Sequence, residues 1–546
     1  MSSSASLPRL QTSDTDDPRV VEEAASEDYS LHVVPRSWRM DRFKLTMAWY
    51  GVATAFFYMY FAAFIALAYG TVNALIGIVL TVAAYSLVNG VIVRVASTSG
   101  LTVALFSRSM FGFVGAAIAT LIFAATATYY LVFEGSVVSV AAKTLFGGPL
   151  KLWYAVVIVG TAPLVWRGVR TWLDRLNAVL LPFYTVALLA VVIWALASKG
   201  YHGFLPGTKA VPGTTLPWLQ AFTAYMGVWI LMMFTMDFAR LGRREDERYH
   251  ANVTFGWLYY TITFLINGLV GILLVSTFGI TFKELAGQES ALPVAIVNLT
   301  GVLGILLIAI TQTRINTVNL YLASTNFESF FSRVFRLTLP RTAWVVFAVV
   351  VGYLLMLTNV FSYVLDALNY QGIAIVAWVA TALAHVLYLR RSRVALEALE
   401  FRPGRIPVIN PGGLFAWVLA TAIGVVLKIT DSTGDIWLVW GLPLVFVIAF
   451  GTYTAATRVA RPSWFAMSRP GDPLAEVADP WETRVRCHRC EKSYLAREMD
   501  RDPSAGHQAI CAACATGGRF YGAARQEARL APAEPTPEPV GTRLDG

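Results

Sequence analysis

The 546-residue chain is 56% hydrophobic and only 14% charged, where average soluble chains run to about 25% charged; one soluble core could not absorb so much apolar sequence. Its net charge of +9 does not form one basic patch, because Arg and Lys fall between apolar stretches. That is the distribution of membrane topology, and it argues against nucleic acid as a partner.

Residues 1–43 open acidic and Ser-rich, with no positive segment ahead of an apolar run. They read as a disordered cytoplasmic lead and not as a cleavable signal. Twelve apolar segments follow, near 45–69, 72–96, 113–142, 152–167, 175–198, 217–237, 252–279, 294–323, 341–359, 366–389, 413–430 and 434–457. Each approaches the roughly 20 residues that a helix needs to cross a bilayer. This predicts an all-α polytopic membrane protein with a transporter domain over 44–458. A linker over 459–484, a Cys-rich module over 485–518 and a disordered tail over 519–546 complete the chain.

The positive-inside rule tests the count. With a cytoplasmic N-terminus, the inner connections carry arginines throughout: Arg36, Arg39 and Arg42; Arg167, Arg170 and Arg175; Arg240, Arg243 and Arg244; Arg390, Arg391 and Arg393. The outer connections carry only scattered lysines, such as Lys143, Lys199, Lys209 and Lys428. A miscounted helix would invert this pattern, and it never inverts. Both termini are expected in the cytoplasm, with the chain in the plasma or inner membrane.

Charges inside hydrocarbon need a partner or an aqueous cavity. Glu134 lies in the third segment (TATYYLVFEGS) and Arg314 in the eighth (TQTRINTVNLY). Tyr130 and Glu134 are four residues apart and share a helix face. An aromatic plane one turn from a carboxylate suits a flat ring that donates N–H groups. Asn316 and Asn319 lie near Arg314 and can donate and accept. The structural alternative is a Glu134–Arg314 pair tying two helices together, with the asparagines as helix glue. Gly51 in the first segment and Gly227 in the sixth stand where broken helices would flank a midplane site. Trp229 is a candidate second stacking wall, with packing as its alternative. Asp237, next to Arg240, Arg243 and Arg244, reads as an interfacial ion pair; His385 and Asp366 are expected to reach the interface.

Several stretches together resemble the nucleobase:cation symporter family of cytosine and purine permeases and hydantoin and allantoin transporters. They are VPRSWR before the first segment, SGLTVALFSRSMFGFVGA between the second and third, DFARLGR closing the sixth, NLYLASTNFESFF closing the eighth and QGIAIVAWVA opening the tenth. The resemblance spans about residues 30–457. It implies a leucine-transporter-type fold, with two inverted five-helix repeats and two extra helices, working by alternating access around a midplane site. It places Tyr130, Glu134, Trp229 and Asn316 at positions that hold the substrate ring in relatives, with Gly227 and Asn319 nearby. It matches Gly51, Thr54 and Thr311 to a sodium site, but puts Arg314 and Ile315 where relatives have paired hydroxyls. A fixed cation there would stand in for sodium, so the expected coupling is to protons, or absent, with Glu134 as the protonation site. A carboxylate at 134 also favours substrates with N–H donors on the facing edge, such as a purine or an amino-substituted base.

Cys487 and Cys490 form CHRC, and Cys511 and Cys514 form CAAC. Two C-x-x-C pairs at this separation have the spacing of a structural four-thiolate zinc site in a ribbon-like module. Paired redox dithiols are the alternative, and His488 and His507 are spare ligands more in keeping with bystanders. The module suggests regulation or a cytoplasmic protein partner. Three functional classes remain: a symporter importing a nucleobase or related ring amide, a transporter-like sensor signalling through the zinc tail, and a membrane enzyme. The last lacks a catalytic constellation in the apolar segments, and no G-x-x-x-x-G-K-[ST] element points to ATP as a driver.

Overall fold

The computed structural model describes residues 7–204, 215–287, 290–337, 339–358, 364–431 and 434–530. In a bilayer each spanning segment must satisfy its own backbone, and the apolar stretches accordingly fold as helices. In chain order these are α1 (Pro18–Glu27), α2 (Arg42–Trp49), α3 (Phe56–Tyr69), α4 (Thr71–Ser99), α5 (Val103–Phe146), α6 (Leu150–Thr161), α7 (Asp174–Lys199), α8 (Pro217–Met226) and α9 (Ile230–Ala239). There follow α10 (Asn267–Phe278), α11 (Ala291–Thr300), α12 (Val302–Val334), α13 (Arg341–Met356), α14 (Val364–Arg391), α15 (Pro411–Thr430), α16 (Leu442–Val459) and α17 (Gly518–Leu530).

Among the described residues, 8 helices are long and apolar enough to cross a membrane, or 10 if each of two bent pairs is one span. The bent pairs are α2 with α3, at 45°, and α8 with α9, at 43°. Two shorter apolar helices, Leu150–Val165 and Arg341–Met356, stand where the fourth and ninth segments are expected. Lipid exposure is visible on α7, where Val179, Phe183, Val186, Leu189 and Ile193 form an exposed stripe at helical spacing. Water would penalise such a stripe, whereas acyl chains do not. Centrally, α5 runs along α12 in the most extensive helix contact of the molecule.

Two boundaries differ from the sequence reading. The eighth segment, expected from 294, is interrupted at Gly301, whose φ of +57° ends α11 and starts α12 afresh. The third is preceded by a helical stretch from Val103 that breaks at Gly112 (φ +80°). There the Phe113 and Val114 amides donate to the carbonyls of Pro407 and Val408, each at 2.9 Å. A Cβ on Gly112 would meet the Ile409 backbone at 2.7 Å, so the close approach requires glycine.

The polar ends also depart from expectation. The lead over 1–43 is ordered where described: Asp17 caps α1, and Thr12–Ser13 (β1) pairs with Arg484–Arg486 (β2) in the tail. Buried Asp28 accepts from the Val169 amide at 2.5 Å and the Trp38 indole at 3.4 Å. Composition suggests disorder because it counts only local partners, whereas Val169 lies 141 residues from Asp28 and Val485 lies in the tail. Likewise β2 pairs with β3 (Ser493–Leu495), and β4 (Asp500–Asp502) pairs with β5 (Gln508–Ile510). The stretch expected as a linker over 459–484 is tied in through Arg469 and Asp472. The expected disordered tail over 519–546 begins within α17, which buries Phe520 and Ala524. The remaining parts of the two expected disordered ends, residues 1–6 and 531–546, lie outside the described residues, as does Lys209. Lead, tail and the 397–410 connection together form a cap over the arginine-rich end of the helices.

Candidate functional site

The bend between α2 and α3 leaves helix-end carbonyls without intrahelical donors. Side chains from three other segments supply them. Arg314 on α12 donates to the Tyr50 carbonyl at 3.0 Å, Asn177 on α7 to Ala48 at 3.2 Å, and Asn267 on α10 to Ala53 at 2.6 Å. Gly51 allows this, because a Cβ there would lie 2.7 Å from the Asn177 amide. Beyond the bend, the Phe56 amide donates to Gln312 at 3.5 Å. The bend between α8 and α9 runs through Gly227, Val228 and Trp229, whose amides bond three residues back in a tight turn. Gly227 packs against Gly372 of α14, where a Cβ would come within 2.9 Å of the Gly227 Cα.

Between the two bends lies a cavity of about 20 Å³. A volume of this size admits about one water. Ala55, Phe57 and Tyr58 come from the first bent span and Val228 and Phe234 from the second. Tyr130 and Glu134 on α5 and Asn319 on α12 complete the polar lining. Phe57 meets Tyr130 edge-on at 6.0 Å, and the Tyr130 hydroxyl accepts from Gln371 at 3.4 Å. Glu134 is fully buried and accepts from the Gln312 amide at 2.5 Å.

Of the residues singled out from sequence, the structure brings Tyr130, Glu134 and Asn319 to one cavity. Asn316 stands one turn behind, accepting from Asn319 at 3.5 Å and facing Gly135. Trp229 does not line the cavity. Its ring packs edge-on against Tyr85 at 6.2 Å and Phe446 at 5.6 Å, because the turn at 227–229 rotates it towards α4 and α16. Nor do Glu134 and Arg314 pair with each other: Glu134 takes Gln312, whereas Arg314 takes Tyr50, Asn177 and the Tyr184 ring. Gln312 was missed from sequence, although 312, 316 and 319 follow one helix stripe.

Around the expected cation site, the Thr54 hydroxyl donates to the Gly51 carbonyl at 3.0 Å, and the Thr311 hydroxyl to Ile308 at 2.9 Å. The guanidinium of Arg314 occupies the carbonyl end of α2, the negative end of a helix dipole. Asp237 is no interfacial ion pair. It is buried and accepts from the Val103 amide at 2.8 Å, at the start of α5, and from Asn326 at 3.3 Å. His385 is buried as well, bonded to Ser109 at 3.1 Å and to the Tyr453 hydroxyl at 2.7 Å, while Asp366 is exposed and pairs with Lys428 at 3.1 Å.

In the cap, the Sγ atoms of Cys487, Cys490, Cys511 and Cys514 all lie within 4.8 Å of one another. Four sulfurs about 2.3 Å from a central ion are about 3.8 Å apart, so the set fits tetrahedral metal. The Cys511 amide points at Cys487 Sγ at 3.4 Å, and the Cys514 amide at Cys511 Sγ at 3.5 Å, as thiolate charge requires. His488 and His507 are engaged by Asp502 and Glu527.

No protein-family model and no curated protein matches the sequence. The fold, however, is similar to that of solved transporters. One is Mhp1, a nucleobase-cation-symport-1 family transporter, in a closed conformation with bromovinylhydantoin bound: TM-score 0.60 and 15% identity, covering 80% of this chain and 97% of that one. The inward-facing conformation of Mhp1 gives TM-score 0.58 and 18% identity, over 79% and 95% of the two chains. A Na+-coupled sialic acid symporter in a substrate-bound outward-open state gives TM-score 0.53 and 10% identity, over 81% and 96%. The architecture is thus the inverted-repeat, leucine-transporter-type fold, in a multi-pass membrane protein.

Proposed function

We propose that this chain is a secondary transporter of the nucleobase:cation symporter kind, importing a flat ring amide such as a purine, cytosine, allantoin or a hydantoin. The observation that carries the reading is the convergence of Tyr130, Glu134 and Asn319 on one cavity between two helix bends. Glu134 accepts ring N–H groups, Phe57 and Tyr130 offer aromatic faces, and Asn319 both donates and accepts. A ring amide is far larger than the present cavity, so binding requires one repeat to move against the other, which is alternating access. The hydantoin bound by Mhp1, a protein of the same fold, is such a ring.

Twelve spans, with both termini in the cytoplasm of a plasma or inner membrane, follow from the arginine distribution. Coupling is to protons, or absent. Arg314 already neutralises the carbonyl end that a cation would occupy, and the Thr54 and Thr311 hydroxyls bond their own helices. Glu134, whose partner is a neutral amide, is the group that can take up the proton. Zinc in the four-cysteine module is structural. A sensor reading draws support from the extensive cap, through which a tail partner would be engaged.

Uptake of radiolabelled purines, pyrimidines and hydantoins, with and without sodium and a proton uncoupler, tests this. Accumulation of one ring without sodium, abolished by uncoupler, is the expected result. Strict sodium dependence overturns the coupling assignment. No accumulation under any gradient, with folded protein in the membrane, puts the sensor reading ahead.

A further inference from the structure

A second, larger cavity of about 260 Å³ opens at the arginine-rich end. It lies where five segments meet: the stretch before α2, the end of α4, the turn after α9, the 397–410 connection and the tail. Arg36, Arg39, Arg243 and Arg244 line it, with Ser97 and Trp481. Two carboxylates, Glu245 and Glu397, are also present.

The rim arginines have partners. Arg36 pairs with Glu482 at 2.9 Å and lies over the Trp481 ring at 5.8 Å; Arg243 pairs with Glu245 at 3.6 Å; Arg244 pairs with Glu397. These arginines are half or more exposed, and exposed pairs exchange at little cost.

Arg39 is different. It is 8% exposed, and its guanidinium donates only to backbone carbonyls: Ser97 at 2.5 Å, Gly242 at 2.8 Å and Val34 at 3.5 Å. Its Nε is buried without a partner. Among the described residues no carboxylate pairs with it, and the charges that act on it, Arg240 and Arg36, are both positive. Burial first, and then these two cations, pull its pKa down to about 9. A buried cation among like charges is costly unless an anion completes it.

We propose that this cavity binds a phosphate-bearing anion, which joins the N-terminal segment and the membrane helices to the tail. Phosphate oxygens match the forked donors of several guanidiniums, and Arg39 supplies the buried anchor. The weak rim pairs release Arg36, Arg243 and Arg244 to the same group. Trp481 gives an apolar wall, which suits an organic phosphate with carbon beyond the phosphoryl group. A soluble phosphorylated metabolite and an anionic lipid headgroup share this chemistry.

The test is thermal unfolding and calorimetry of the purified full chain in zwitterionic nanodiscs. Inorganic phosphate and adenosine monophosphate are titrated against chloride of equal ionic strength, with nanodiscs containing phosphatidylglycerol as a separate arm. The expected result is a saturable rise in midpoint of at least about 2 °C with a phosphate compound. In the Arg36→Gln/Arg243→Gln double variant, affinity should fall at least about fivefold. Arg39→Gln also removes three backbone contacts, so the rim double variant carries the test if Arg39→Gln fails to fold. A saturable rise only in anionic nanodiscs, lost in the double variant, supports the proposal with a headgroup as the source. No saturable rise in either arm, or an equal rise in the double variant, overturns it. None of these readouts depends on transport.

Discussion

Glu134 and Arg314, inside the membrane helices, are held by neutral groups: the Gln312 amide for one, the Tyr50 carbonyl and Asn177 for the other. Where the tail meets the 397–410 connection the pattern reverses. Asp500 lies between Arg405 at 3.1 Å and Arg469 at 2.7 Å, and Arg402 reaches Glu400 and Asp472, each at 2.6 Å. A charge matched to a fixed counter-charge holds segments in place, and removing one member strands the other. A buried charge that meets only dipoles keeps the capacity to take a proton or a ligand. The ion-paired tail is therefore built to stay in place, and the cavity between the bends to respond.

Metal removal sharpens this most. A structural zinc contributes on the order of 10 kcal/mol to a small module. Cys487→Ser is expected to make residues 484–530 protease-sensitive while the membrane helices keep their helicity. A resistant cap would mean that its ion pairs suffice without metal. Next in size is Asp500→Ala, which removes the buried carboxylate shared by Arg405 and Arg469 and leaves them Asp472 and Glu527, at a cost of about 1.5–3 kcal/mol. Hydrogen exchange in β4 and β5 should quicken by about tenfold or more, and unchanged exchange would deny Asp500 its central place. A smaller effect is expected from Gln312→Leu, which removes the side-chain donor of Glu134 and leaves it the Phe57 backbone amide, at about 1–2 kcal/mol. Thermal unfolding reads the cost, and unaltered ring binding would show that Gln312 does not position the carboxylate.

The smallest effect is in pH. Burial alone would raise the pKa values of Glu400 and Asp472, but Arg402 outweighs it and holds each at about 2. Depressed values add stability that is fully present above the unfolded values of 4.5 and 3.8 and is lost as pH falls towards about 2. Trp481 fluorescence should thus report a docked cap from pH 7 to 5, with release only below. Release near pH 6 would assign docking to other groups.

Much of this was legible in the sequence, and the reasons are physical. Bilayer cost makes Glu134 and Arg314 conspicuous, and the cysteine spacing announces the thiolate cluster. Helical spacing puts Tyr130 and Glu134 on one face, and the structure keeps them together. What periodicity could not give was direction across a break: the turn at Gly227 sends Trp229 to Tyr85 and Phe446 instead of to the cavity. It also could not pair side chains between helices, so a Glu134–Arg314 bridge stood as the structural alternative and the Gln312 contact went unforeseen. The order in residues 7–43 depends on Thr12 meeting Val485, a partner that no local window contains.

The proposed function depends above all on the cavity between the two bends holding the transported ring against the carboxylate of Glu134. The most direct test is uptake into proteoliposomes holding equal amounts of folded wild type and Glu134→Gln, with the ring that the wild type accumulates best. A loss of at least about tenfold is expected in the variant, equivalent to roughly 1.4 kcal/mol. Undiminished uptake by Glu134→Gln would contradict it and move the binding site away from this cavity.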